Sequence, residues 1–496
     1  MSRQRKPRWR AFLQEIGFPG LANLSLPVVS VEGRVGNDEL VISPEEYGGF
    51  LIRRHSRENP PYQVDDSMYQ RFDQKYDLFS RLFWDTTLRE NFLHEAPKAA
   101  VKRMKADRPG SSRLDFAFYT AAWTIASTLG TMSGSIDGAH RGLYSITPLP
   151  GSFMSTYPFK QMEPWKPVNL SPQDLSVIMK KAARFYGASL VGVAEVDERW
   201  IYSRSYGSAF TNFPDTIGRS SPIVFEDVEE PAEHEDGTLV IPRRMKYVIA
   251  LAFEMDREAI ATSIAGPQAA ASGMGYSRMA FTAGTLAEFI RGLGYHAIPC
   301  GNNTALSIPI AIDAGLGELG RNGLLITPKY GPRVRLAKVF TDLPLAPDQP
   351  ISFGVQAFCE VCGKCAETCP GRAILAGHNA RTYAALTRSN NPGVYKWPVD
   401  AEKCQRVWCH AGHDCAVCIR VCPFNHPDSW LHRTTQTLVG AGAESVDQLL
   451  VKLDTLREEG KRASPEEFWR PEQQRLAQKR ARTHGGTRQQ SGEAKV

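Results

Sequence analysis

Residues 359–370 read CEVCGKCAETCP, and residues 404–423 read CQRVWCHAGHDCAVCIRVCP. The first stretch spaces its thiols as Cys359-x2-Cys362-x2-Cys365-x3-Cys369 and closes on Pro370. That is the bacterial two-cluster run: three thiolates take one 4Fe–4S cubane, and the fourth is carried off by the turn before proline to reach the other. The second stretch, Cys404-x10-Cys415-x2-Cys418-x3-Cys422-Pro423, ends the same way with its first ligand set back. The crossing pattern puts Cys359, Cys362, Cys365 and Cys422 on one cluster and Cys404, Cys415, Cys418 and Cys369 on the other. On spacing alone Cys409 competes with Cys404, because it lies nearer Cys415. A pair of zinc sites is the rival reading, but zinc has no need of a repeated run closed by Cys-Pro. Two adjacent cubanes form a one-electron relay. With every ligand position filled, no iron is open to a substrate, so the substrate reacts elsewhere in the chain.

Of the ten cysteines only Cys300 lies outside this stretch. Disulfide frameworks spread over small secreted domains, and a 496-residue chain with crowded thiols is not one. The length allows two or three domains, and 42% hydrophobic with 23% charged residues is ordinary for a globular protein. A net charge of +6 does not require a polyanionic partner, and no nucleic acid is expected. No stretch approaches the ~18 consecutive apolar residues of a membrane span. Arg3, Arg5, Lys6, Arg8 and Arg10 make a basic start, but Gln14, Glu15, Gly17 and Pro19 interrupt the next twenty or so residues, which make a poor signal-peptide core. Arg53-Arg54 is internal and followed by polar residues, so it does not read as a twin-arginine signal. The expectation is a cytoplasmic chain with a solvated basic arm. The alternative is a protein on the outer face of a membrane, its twin-arginine signal missing or removed, held by a small membrane anchor protein.

Residues 1–165 are rich in aromatics, charges and prolines and read as a wrapping unit of short helices and long loops. Phe116, Phe118, Tyr119 and Trp123 form an aromatic cluster that reads first as core. At Ser171 the pattern sharpens: an N-cap, Pro172 at the first helical position and Asp174 at the third precede Leu175, Ile178, Met179, Ala182 and Tyr186 at helical spacing. Buried strands are expected over 189–196 and 247–253, a long helix over 276–291 stopped by Gly294, and a short strand over 296–299. Strand, turn and strand are expected over 324–327, 329–331 and 334–341. The alternation gives an α/β or α+β core, taken as α+β over 166–348, then a cluster domain at 349–432. The extension at 433–496 turns polar and basic from about 460 and is expected to be partly disordered.

Several stretches in this order resemble one family, the reductive dehalogenases: PPYQVDDSMYQRFDQKY at 60–76, ARFYGASLVGVAEVDERWIYS at 183–203, LGYHAIPCGNN at 293–303, SIPIAIDAGLGELGRNGLLITPKYGPRVRL at 307–336 and VFTDLPL at 339–345. The resemblance implies a nitroreductase-like cobalamin-binding core followed by a bacterial ferredoxin-like two-cluster domain. It implies a base-off corrinoid, reduced through the clusters, whose cobalt(I) form removes halide from a small organohalide while a tyrosine supplies the proton. It also favours Cys404 over Cys409. The matching positions are Tyr276 in GYSRM, Asn302 and Arg335. A free phenol is a feeble acid at neutral pH, and a permanent cation such as Arg335 makes proton release easier. Asn302 can hold the phenol or the substrate. Without the resemblance, Tyr276 reads as a packed side chain at a helix start and Asn302 as a turn residue.

By the same resemblance Asn303, Ser307, Gly315, Gly317, Gly320 and Gly323 line the corrinoid. Read alone, AGLGELGRNG is two tight turns, and no strand and spaced acid make GLGELG a dinucleotide fingerprint. The cobalt-ligating motif Asp-x-His-x-x-Gly is absent, since Asp137-Gly-Ala-His140 has the wrong spacing. His140 is an ordinary loop histidine on this reading. An external electron donor is implied, and a homodimer is allowed. Trp84, Tyr119, Trp123 and Trp408 are candidate wall residues. The rivals are epoxyqueuosine reductase, which acts on tRNA through a cobalamin core and two clusters, and a pure electron-transfer protein with no corrinoid.

Overall fold

The computed structural model describes residues 32–35, 38–42, 51–129, 167–207, 218–425 and 460–470. The basic arm, the segment around His140, most of the C-terminal extension and the chain past 470 lie outside the described residues.

Helix α1 (Pro172–Phe185) starts as its sequence dictates, with the Ser171 side chain accepting from the Asp174 amide. It leads into β1 (Leu190–Glu195). Then come β2 (Tyr247–Glu254), α2 (Gly266–Gly292), β3 (Ala297–Cys300), α3 (Ser307–Asp313) and β4 (Val334–Thr341). The four strands make one antiparallel sheet in the order β3-β4-β2-β1. Both faces are covered, so β2 reads as an unbroken apolar run. Val248, Ala250 and Ala252 pack towards Ile310, Ala311 and Ile312 of α3. Ile249, Leu251 and Phe253 pack towards Met279, Ala283 and Leu286 of α2. Each such large side chain removed from water contributes roughly 1.5–3 kcal/mol.

Helix α2 begins ten residues before the expected start, at Gly266-Pro267. A run of alanines and glycines hides the helical period, and Pro267 at the first turn is the one local start signal. Tyr276 therefore sits inside the helix, not at its start. The strand at Leu325–Ile326 pairs with Glu318–Leu319 instead of β4, while a Thr327–Gly331 bridge closes the turn. A second sheet, Arg204–Tyr206, Ser220–Glu226, Leu239–Pro242 and Ala232–Glu233, lies where no strand is expected. The N-terminal unit is not only helices and loops. Glu32–Val35, Asp38–Ile42 and Leu51–Arg54 build a sheet closed by Ile351–Ser352 at the start of the cluster domain.

The expectation of disorder from about 460 is corrected over 460–470. Trp469 Nε1 donates to Asp115 at 2.9 Å, its ring meets Phe118 at 5.0 Å, and Ala463 N donates to Ala261 O. Phe468 packs on Phe118 and on Trp469 as well. These aromatic contacts and bonds hold a polar segment that composition alone marks as loose.

Asp313, at the end of α3, fastens the N-terminal unit to the core. It accepts from Tyr62 OH and Trp200 Nε1, both at 2.8 Å. Burial pushes its carboxyl up to about 6, against the pull of those two donors. A raised folded pKa means the native state binds the proton more tightly than the unfolded chain. Stability is therefore lost as pH rises from about 4 to about 6 and is level above. The thermal midpoint of the wild type relative to Asp313→Asn is expected to fall across that window, by the equivalent of about 3 kcal/mol. A flat difference would show that this carboxyl does not titrate there.

Candidate active site

Tyr276, Asn302 and Arg335 come from three elements and meet at one edge of the core. Asn302 Nδ2 donates to the Tyr276 hydroxyl at 3.2 Å. The Arg335 guanidinium lies 4.9 Å from the Tyr276 ring centroid, and its Nη2 donates to Ser272 at 3.1 Å and pairs with Asp414 at 3.8 Å. Trp123 stacks on the phenol as well, centroids 5.1 Å apart and planes 25° from parallel. The small residues of α2 make room for this. A Cβ on Gly273 would stand 2.4 Å from the Trp123 ring, and one on Gly275 would stand 2.7 Å from Arg335 Cγ. Tyr276 is thus a buried phenol in contact with an indole and a cation, its hydroxyl held by an amide.

Tyr276, Asn302 and Arg335 line a cavity of about 620 Å³ that runs to the cluster domain. Its wall also includes Cys369, Cys404, Cys415 and Cys418. Cys359, Cys362, Cys365 and Cys422 are not in that wall. Helix α4 (Val355–Cys362) carries Cys359 and Cys362 three residues apart on one face. Gly363, at φ 61°, breaks it and starts the turn with Cys365. Burial, then the charges of Cys359, Cys362 and Cys365, hold the Cys422 thiol well above its ordinary range. Burial, then Cys415 and Cys369, push Cys404 up to about 12. Cys418 is raised by burial and then by Cys404, Cys415, Cys365 and Cys369. The thiols thus gather as two adjacent quartets, each suited to a group that takes thiolates. Among the described residues no three His, Cys, Asp or Glu side chains converge as a single ion requires. A cubane instead spreads its ligands over four corners.

Cys404 and Cys409 share α5 (Ala401–Ala411). Five residues apart, they point roughly 140° away from each other, so one helix face cannot present both. Cys404 faces the cavity, whereas Cys409 is buried, and no other thiol contributes to the rise of its pKa.

Of the six positions expected to line the corrinoid, Ser307 and Gly323 reach the cavity. Asn303 is buried and ties its own turn, accepting from Gly301 N and donating to Thr304. Gly315, Gly317 and Gly320 press against protein: their Cβ atoms would meet Gln349 O at 2.6 Å, Ile326 O at 2.1 Å and the Ile326 side chain at 2.7 Å. Trp408 lines the cavity. Trp84 instead meets Tyr76 edge-on and donates to Lys75 O, Tyr119 packs on His413, and Trp123 backs Tyr276.

Sequence reading missed Lys338. It is 1% exposed, donates to Gly301 O at 2.6 Å and Ser307 Oγ at 3.0 Å, and so anchors the turn before Asn302. Burial brings its ammonium down to about 8. A lone lysine in VRLAKVFT was the available signal. Asp414 and Ser272, the partners of Arg335, gave none. Buried polar atoms in the cavity walls lack a protein partner: Trp397 Nε1, Trp408 Nε1, Arg335 Nε and Asp414 Oδ1. Such walls suit a large guest that brings its own donors and acceptors.

A core whose buried phenol shares a cavity with one of two adjacent thiol quartets fits a cofactor-dependent oxidoreductase fed by an iron–sulfur relay. Residues 80–345 match the model of the reductive dehalogenase subunit, and residues 358–425 match a 4Fe–4S double cluster binding domain. The tetrachloroethene reductive dehalogenase of Sulfurospirillum multivorans is 35% identical over 381 residues, 74% of this chain and 72% of that one. The tetrachloroethene reductive dehalogenase of Desulfitobacterium hafniense is 36% identical over 374 residues, 68% and 67% of the two chains. The solved catabolic reductive dehalogenase NpRdhA aligns with TM-score 0.55 at 22% identity, over 83% of this chain. This chain spans about half of that structure, 49% of its length. An epoxyqueuosine reductase of Lactococcus garvieae is 32% identical over 125 residues, 24% of this chain. The chain belongs to the reductive dehalogenase family, oxidoreductases that reduce carbon–halogen bonds.

Proposed function

We propose that the protein removes halide from a small organohalide, using a base-off corrinoid and two 4Fe–4S clusters, with Tyr276 as proton donor. The observation that carries this is one cavity lined both by Tyr276, Asn302 and Arg335 and by Cys369, Cys404, Cys415 and Cys418. The core at 166–348 is nitroreductase-like on this reading. Ser307, Gly323 and Trp408 would line the corrinoid, and the unpartnered polar atoms of the walls would offer it hydrogen bonds. When bound, a reduced corrinoid supplies a strongly nucleophilic centre of low potential.

The chain's own residues do the rest. Two electrons and one proton turn a carbon–halogen bond into a carbon–hydrogen bond and free halide. Tyr276 gives the proton from its hydroxyl. Asn302 keeps that oxygen in place, and Arg335 offsets the negative charge left on it. Trp123 covers the ring of the phenol and keeps water from it. The cysteine quartets hold the relay, which an external one-electron donor fills.

The test is anaerobic turnover of the corrinoid- and cluster-loaded protein with reduced methyl viologen, reading halide from chlorinated and brominated alkenes and arenes. Halide release is the expected result. Turnover of epoxyqueuosine tRNA without halide would move the protein to the rival family. Failure to retain corrinoid would leave the relay alone.

A further inference from the structure

The two thiol quartets sit in different electrostatic surroundings. Arg321, in the GLGELGRNG stretch of the core, reaches into the cluster domain and is 1% exposed. Its Nε donates to Cys359 O at 2.9 Å, its Nη1 to Leu375 O and Gly377 O at 2.9 Å, and its Nη2 to Glu360 O at 3.4 Å. Trp397 lies under it, with the guanidinium 5.1 Å from the ring centroid. A guanidinium so fixed keeps its charge. Its carboxylate neighbour, Glu360, stands 3.6 Å away and is bonded more closely to Arg381 at 3.0 Å. Arg321 acts electrostatically on Cys359 and Cys365 of the outer quartet. The inner quartet has no guanidinium hydrogen-bonded to the backbone of one of its cysteines among the described bonds. Asp414 and Asp400 stand near it, paired with Arg335 at 3.8 Å and with Lys403 at 3.1 Å, and Arg420 is its other charged neighbour.

Reducing a cubane adds one negative charge, and a buried cation beside it stabilises that charge with little screening. We propose that Arg321 holds the outer cluster at a higher reduction potential than the inner one, so that the waiting electron rests away from the cavity. This rests on the two-cluster reading above. Each transfer moves one electron and no bond or proton. The external donor is oxidised as the outer cluster is reduced, and the outer is then oxidised as the inner is reduced. The inner cluster fills only when an acceptor in the cavity draws the electron on. Arg321 is a positioning residue in this sense, touching neither substrate nor the reacting atoms.

The experiment is a reductive titration of the loaded protein followed by electron paramagnetic resonance, with Cys422→Ala used to identify the signal of the inner cluster. In Arg321→Met the outer midpoint is expected to fall and the inner one to stay. In Glu360→Gln, which removes the opposing charge and leaves the guanidinium's carbonyl bonds in place, the outer midpoint is expected to rise. Opposite shifts confined to the outer cluster, with its wild-type midpoint above the inner one, support the proposal, and a wild-type inner midpoint at or above the outer one overturns it. Shifts of the same sign, equal shifts in both clusters or no shift overturn it while the cluster reading stands. If Arg321→Met does not assemble its clusters, Arg321→Gln, which keeps an amide donor without the charge, takes its place with the same expected fall. A wild-type protein without two cubanes overturns both readings.

Discussion

Halide release is expected to fall about 100- to 10,000-fold in Tyr276→Phe, with corrinoid and iron contents unchanged. The substitution keeps the ring, hence the stacking on Trp123 at 5.1 Å and the packing among Met279 and Ala280. It removes one oxygen, the acceptor of the Asn302 amide. A loss of that size with intact cofactors therefore reports the missing proton, not a misfolded core. Halide yields from single turnover with pre-reduced protein separate this from slower electron delivery. Asn302→Ala should give a smaller loss, because the hydroxyl survives without its holder. Activity of Tyr276→Phe within a few-fold of wild type would assign the proton to another group or to water.

The core could be read ahead of the structure wherever local signals and burial agree. Ser171, Pro172 and Asp174 marked α1, and the apolar runs marked β1 and β2, because strands covered on both faces have no polar residues to interrupt them. The long helix was misplaced at its start because Gly266 to Gly275 is built for close approach by Trp123 and Arg335, and small residues carry no amphipathic period. The small sheets were invisible for a different reason. The two-residue strand Ile351–Ser352 gains its partners from a segment some 300 residues away, Arg53 and Arg54. At the site, the cysteines could be picked out by their spacing, and Tyr276, Asn302 and Arg335 only through the family resemblance. Their supports could not. Asp414, Ser272 and Arg321 matter through where the fold sets them, with nothing along the chain to announce it, and Lys338 shows only as a lone lysine in a largely apolar strand.

The pairing of the thiols gives the second large effect, and two double variants decide it. Cys369→Ala is expected to cost about four of about eight irons, the inner cluster, although Cys369 follows Cys365 in the run that serves the outer one. The structure gives the reason: Cys369 lines the cavity with Cys404, Cys415 and Cys418, and Ala373 N donates to its sulfur at 3.3 Å. Combining Cys369→Ala with Cys404→Ala strikes the same cluster twice, so iron should stay near four. Combining Cys369→Ala with Cys359→Ala strikes both clusters, so iron should approach zero. Uncrossed motifs exchange these two outcomes, which makes iron analysis of the purified doubles decisive in either direction. Cys409→Ala belongs in the same series and should keep about eight irons, because its thiol points into the packing of α5 and no other thiol acts on it. Halide release should vanish in every variant that loses the inner cluster, since Cys404, Cys415 and Cys418 stand with Cys369 in the cavity wall and the outer four do not. Loss of the outer cluster through Cys422→Ala should spare a single turnover by strongly reducing viologen, which can reach the inner cluster directly, while steady turnover slows.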